Sequence, residues 1–149
     1  RMHFLEPLSC AAWFAMKQIR VGVLVGSGCD AFCVEKMCEC LDKNGKKRFD
    51  VRRIRLDAIA GDPGLLQDVE VILVGGGEDD SSFCWGCGQR EALGAEGLAV
   101  VREHVAQKGA AYLGICAGAY LGSKKEGSLG LCDALIFNSD EGKEVFACG

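Results

Sequence analysis

Cys116 stands out by its neighbours. It lies in the stretch Gly109-Ala110-Ala111-Tyr112-Leu113-Gly114-Ile115-Cys116-Ala117-Gly118-Ala119-Tyr120-Leu121-Gly122-Ser123, where an apolar run gives way to small residues. This pattern predicts a buried strand, a tight turn and a helix start, with the sulfur exposed at the bend. A thiol so placed suits attack on a carbonyl, because the first N–H groups of a helix lack intrahelical acceptors and favour the thiolate, the attacking form of cysteine. The alternative is a small, inert core residue.

Attack on a carbonyl makes an oxyanion, and an oxyanion needs N–H donors. The backbone N–H of Ala117 is one natural donor; Gly76 or Gly77, from the run Gly75-Gly76-Gly77, supplies the other. The alternative for the triple glycine is a plain loop before a helix. Gly118 and Tyr120 follow Cys116 closely and are expected to border a bound ligand. A base is harder to find, since His3 and His104 are the only histidines. The helix carrying His104 runs away from the Cys116 end of the sheet, which places His104 roughly 10 to 15 Å from the thiol and gives it a structural role. His3 lies in the N-terminal stretch and is assigned no role. The carboxylates Glu78, Asp79, Asp80 and Asp30 sit on loops at the right edge, either to hydrogen-bond the thiol or to cap helices and stay solvated.

The chain has ten cysteines, yet its long apolar strands argue against a disulfide scaffold. Cys84-Trp85-Gly86-Cys87 admits a redox reading or, with Cys29 and Cys33, a zinc site. Unlinked, reduced thiols are the default here, and neither metal nor cofactor is assigned.

These groups need a frame. At 149 residues and 49% hydrophobic, the chain fits a single domain, taken as 16–149 behind an extension at 1–15. A net charge of -4 argues against nucleic acid as a partner. No run reaches the ~20 apolar residues of a membrane span, so a cytoplasmic location is expected. A small carboxylate or amide ligand is the expected partner, with self-association left open.

Residues 19–25 form a β-branched run flowing into Gly26-Ser27-Gly28, a first buried strand with a tight turn. Asp30 or Ser27 caps the next element, a helix marked by Phe32, Val34, Met37, Cys38 and Leu41 and stopped by Asn44-Gly45. Residues 49–56 read as an edge strand, since Arg52, Arg53 and Arg55 would block pairing with another sheet. Gly61-Asp62-Pro63-Gly64 is turn chemistry, with a short helical turn from Pro63 to Gln67. Residues 69–74 form a second buried strand ending in the triple glycine, and 81–92 read as irregular. Leu98, Val101 and Val105 mark a helix that ends near Lys108-Gly109. After the polar loop 124–127, residues 129–137 have short apolar character. Alternating strands and helices imply a parallel sheet whose carboxyl edge gathers the glycine loops and Cys116.

Tyr112-Leu113-Gly114-Ile115-Cys116-Ala117-Gly118-Ala119-Tyr120 resembles the nucleophile elbow of the class I glutamine amidotransferase-like superfamily, closest to the N-terminal domain of biotin-protein ligases. Val21 to Gly28, Val71 to Gly77, Leu93-Gly94-Ala95-Glu96-Gly97, Val101-Arg102-Glu103-His104-Val105 and Phe137-Asn138-Ser139-Asp140-Glu141-Gly142 resemble further segments of that domain. The resemblance implies a flavodoxin-like α/β three-layer sandwich with a mostly parallel sheet and Cys116 at the nucleophile position. It implies hydrolysis of a carbon–nitrogen bond, although the superfamily's triad histidine has no counterpart identified here. The alternative is a non-catalytic domain that keeps the elbow to bind a small ligand or to sense thiol oxidation.

Overall fold

The computed structural model describes residues 17–45, 48–77, 87–124, 126–132, 134–138 and 144–148. The chain runs β1 (Ile19–Val25), α1 (Ala31–Gly45), β2 (Phe49–Arg55), 3-10 turns at Leu56–Ala58 and Pro63–Leu66, β3 (Val71–Val74), α2 (Cys87–Lys108), β4 (Ala111–Gly114) and α3 (Ala117–Gly122). Strands β5 (Ala134–Asn138) and β6 (Glu144–Cys148) pair antiparallel in a separate two-stranded sheet.

The main sheet has strand order β2-β1-β3-β4, all parallel, with Val23 opposite both Arg53 and Leu73, and Leu73 opposite Leu113. Flanked by helices, it has the flavodoxin-like α/β architecture. The two central strands explain the sequence pattern. Consecutive residues Val23 and Leu24, and likewise Ile72, Leu73 and Val74, are buried, which requires both faces of the sheet to be covered. Leu56, Ile59 and Leu66 from the 3-10 turns, Leu93 and Val101 from α2, and Leu121 from α3 complete the core.

Edge strand β2 matches its sequence. Arg52 pairs with Asp50 at 3.0 Å, Arg53 forms a two-pronged pair with Glu35 at 2.9 Å, and Arg55 pairs with Asp57. Strand β4 does not match. The apolar run 110–115 predicts a buried strand, but β4 is the opposite edge, and Leu113 and Ile115 are 54% and 46% exposed. Leu113 and Ile115 fall with Ala111 on one face of the strand, and among the described residues that face is left open.

Two further expectations are corrected on the helices. Phe32 points to solvent, with the Lys36 ammonium 5.5 Å above its ring, while Val34 and Cys38 carry the buried stripe of α1. Helix α2 begins at Cys87, inside the stretch expected to be irregular, and breaks at Gly94, where φ is 61° and ψ is 177°. Glycine tolerates that conformation at low cost. Among the described residues no helix is long and apolar enough to cross a membrane.

Candidate functional site

The carboxyl ends of β1, β3 and β4 bring the glycine loops and Cys116 together. Cys116 has φ 53° and ψ -117°, and among the described residues it is the single non-glycine with positive φ. Such a backbone costs a non-glycine residue of order 1–3 kcal/mol and persists only where surrounding bonds impose it. Here Ile115 N–H donates to the Val74 carbonyl at 2.9 Å, Gly118 N–H donates to the Gly75 carbonyl at 3.1 Å, and Ala119 N–H donates to the Cys116 carbonyl at 2.8 Å. From behind, the Tyr112 hydroxyl donates to the Gly118 carbonyl at 2.6 Å. Burial pushes the Tyr112 phenol above its ordinary range, so it stays a donor.

Gly118 lets the turn close onto β3, because a Cβ there would fall 2.3 Å from the Val74 carbonyl oxygen. Gly118 and Tyr120, expected to border a ligand, are buried on α3. Cys116 is exposed. A Cβ placed on Gly76 would lie 3.9 Å from the Cys116 Cβ and 3.1 Å from the Cys33 sulfur. One placed on Gly77 would lie 2.9 Å from the Ala117 Cβ. Thus the three residues expected to supply oxyanion donors are neighbours of one another and of the thiol. Among the described residues, the N–H groups of Gly76, Gly77 and Ala117 have no hydrogen-bond acceptor.

Asp30 has another task. Its carboxylate accepts from Cys33 N–H at 2.9 Å, capping α1, and its own N–H donates to the Gly76 carbonyl at 2.9 Å. Glu78, Asp79, Asp80, Cys84 and His3 lie outside the described residues. His104 sits at the far end of the sheet, its Nε2 2.8 Å from the Val69 carbonyl, in the structural role expected of it. Because that partner only accepts, Nε2 carries the proton.

The side chain that sequence reasoning missed is Gln89, in the first turn of α2. It is fully buried, its Nε2 donating to the carbonyls of Gly75 at 3.0 Å and Gly76 at 3.3 Å and lying 3.8 Å from the Cys29 sulfur. Two carbonyl neighbours fix the amide nitrogen on that side. Among the described residues its Oε1 has no partner, an omission that costs about 1–3 kcal/mol for a buried acceptor. A glutamine beside glycines in a loop-like stretch gives no signal of this in the sequence. Its burial comes from the approach of Gly28, where a Cβ would lie 2.1 Å from the Gly88 carbonyl carbon.

The cysteines divide by environment. Cys29 is buried, and desolvation pushes its thiol up to about 11 against a smaller opposing effect from Gln89. It remains a thiol, donating to the Leu24 carbonyl at 3.6 Å. Cys87 is disulfide-bonded, which corrects the expectation of unlinked thiols, whereas Cys29, Cys33, Cys38, Cys40, Cys116 and Cys132 form no disulfide. A linked Cys87 is unsuited to zinc, which binds thiolates. Among the described residues no group of three or more His, Cys, Asp or Glu is placed to hold a metal ion.

A family model described as biotin-protein ligase, N terminal, matches residues 19–127. The chain belongs to this family. The match runs from β1 through α3 and so takes in both glycine loops, Gln89 and Cys116; the β5–β6 pair lies beyond it. No curated protein and no solved structure matches the chain.

Proposed function

We propose that this biotin-protein ligase N-terminal family member uses Cys116 as a nucleophile towards the carbonyl of a small amide, in the manner of the glutamine amidotransferase-like superfamily. The observation that carries the reading is an exposed thiol on a strained strand-to-helix turn, beside backbone N–H groups that have no acceptor among the described residues. In this reading Cys116 Sγ attacks the carbonyl carbon, and the N–H groups of Ala117 and of Gly76 or Gly77 take the oxyanion. The hydrogen bonds that impose the Cys116 backbone also hold that residue beside Gly76.

A second reading has its own support. His104, bonded to Val69 at the other end of the sheet, is not available to Cys116 as a base. Without a base the same turn binds a small carboxylate or amide at the N–H groups of Gly76, Gly77 and Ala117, or exposes Cys116 to reversible oxidation, without turnover.

Site-resolved alkylation separates the two. Iodoacetamide at pH 7 is expected to label Cys116 about tenfold faster than Cys40 and Cys132, the other exposed cysteines outside a disulfide among the described residues. Equal rates at the three positions would remove the nucleophile reading and leave ligand binding.

A further inference from the structure

We infer that Gln89 is the positioning residue of the oxyanion donors, an inference that rests on the nucleophile reading of Cys116. In a trans peptide the carbonyl and the following N–H point in opposite directions. Whatever captures the Gly75 and Gly76 carbonyls therefore also orients the N–H groups of Gly76 and Gly77.

Gln89 captures both. Its Nε2 bridges the Gly75 and Gly76 carbonyls at 3.0 and 3.3 Å. Each carbonyl has one other donor, Gly118 N–H at 3.1 Å and Asp30 N–H at 2.9 Å, but these come from separate elements and each fixes a single plane. Among the described residues, Gln89 alone ties the two planes together by a side chain. The N–H groups of Gly76 and Gly77 are thereby turned away from Gln89, and Gly77 lies against Ala117, the residue after the nucleophile.

The unpartnered Oε1 points the same way. A methionine would fill similar space without burying an unmet acceptor, at the loss of the two hydrogen bonds that Nε2 makes. What glutamine adds is the bridging N–H donor. Gln89 acts through the loop and has no assigned contact with substrate.

Two reactions at one sulfur test the inference. With p-nitrophenyl acetate, the Cys116 thiolate adds to the ester carbonyl, an oxyanion forms and collapses, the carbon–oxygen bond breaks to release p-nitrophenolate, and an acetyl thioester remains. Iodoacetamide alkylates by displacing iodide and makes no oxyanion. The ratio of acylation to alkylation at Cys116 therefore reads the oxyanion donors while cancelling the accessibility and ionisation of the thiol. Gln89→Met is expected to lower this ratio about tenfold, a part of the hundredfold or more that loss of a whole oxyanion donor costs. Alkylation should stay within about twofold of the wild type, and circular dichroism should show the fold retained. Gln89→Glu supplies a check that a purely structural role would not move. Its carboxylate has no donor, whereas its protonated form has one, so the ratio should recover as pH falls through the glutamate's titration.

The outcomes are distinguishable. If wild-type Cys116 is acylated no faster than Cys40 and Cys132, the nucleophile reading fails and this inference fails with it. If Cys116 is acylated selectively but Gln89→Met keeps the wild-type ratio, the role of Gln89 alone is overturned.

Discussion

The two ends of the parallel sheet treat their leftover polar groups in opposite ways. At the amino end, the Glu70 carboxylate accepts from Arg20 N–H at 3.1 Å, Arg20 Nε at 3.3 Å and Lys17 Nζ at 2.9 Å, while His104 satisfies the Val69 carbonyl. At the carboxyl end, among the described residues, Gly76, Gly77 and Ala117 keep their N–H groups without an acceptor, Gln89 buries an oxygen without a donor, and Cys116 holds a costly backbone. One end spends its side chains on holding strands together. The other keeps donors and a thiol uncommitted, where open α/β sheets receive ligands. Strain and unmet groups at a single end are what a site requires and what stability alone would remove.

The sharpest way to break this contrast is to loosen the carboxyl end from the sheet. At Gly118 a Cβ would lie 2.3 Å from the Val74 oxygen, 2.8 Å from the Val74 carbonyl carbon and 2.9 Å from its Cβ, so two of the three nearest atoms are unyielding backbone. Gly118→Ala is therefore expected to cost about 3 kcal/mol, the upper part of the range for overpacking. The change would appear as a lower denaturant midpoint, together with slower acylation of Cys116. An unchanged midpoint would mean that α3 is not pinned to β3 and that the turn geometry has another origin.

Much of this frame was legible before the structure. Strands β1 and β3 announce themselves as β-branched runs ending in glycine, β2 as an arginine-studded edge, and Asp30 as a helix cap, because each is set by local chemistry. Cys116 was legible for the same reason, as small residues on either side of a strand end allow a sharp bend. What stayed hidden depends on distant chain segments meeting. The exposure of Leu113 and Ile115 follows from one face of β4 being left open among the described residues, and the burial of Gln89 follows from the packing of Gly88 against Gly28. Glutamine is usually a surface residue, so its type argued against the role it has.

A second substitution sharpens the contrast by separating the strain from the chemistry. Cys116→Ala removes the thiol but keeps a Cβ at φ 53°, whereas Cys116→Gly removes both. Glycine should be the more stable of the two by about 1 kcal/mol, the relieved strain being partly offset by the greater freedom of unfolded glycine. Thermal or denaturant unfolding of the pair measures this directly. If alanine is equal or better, the turn is not strained and the carboxyl end has lost one of its distinguishing features.

The amino end offers the smallest effect and a pH signature of its own. Glu70 is held down to about 2, first by the Arg20 backbone N–H and then by the Lys17 ammonium, against an ordinary value of 4.5. A carboxylate depressed by folding contributes stability that is fully present above its unfolded pKa and is lost as pH falls through the folded one. The loss attributable to Glu70 should therefore begin near pH 4.5 and continue down to about 2. Glu70→Gln cannot titrate, so the difference in unfolding midpoint between wild type and variant should shrink across that window. The group is open to solvent, and added salt should narrow the difference further at neutral pH. Alkylation of Cys116 should be the same in both proteins at every pH, because the groups that hold Glu70 lie at the opposite end of the strands. A change in Cys116 reactivity on losing the Glu70 charge would show that the two ends are coupled, and that the division between a holding end and a reacting end is too simple.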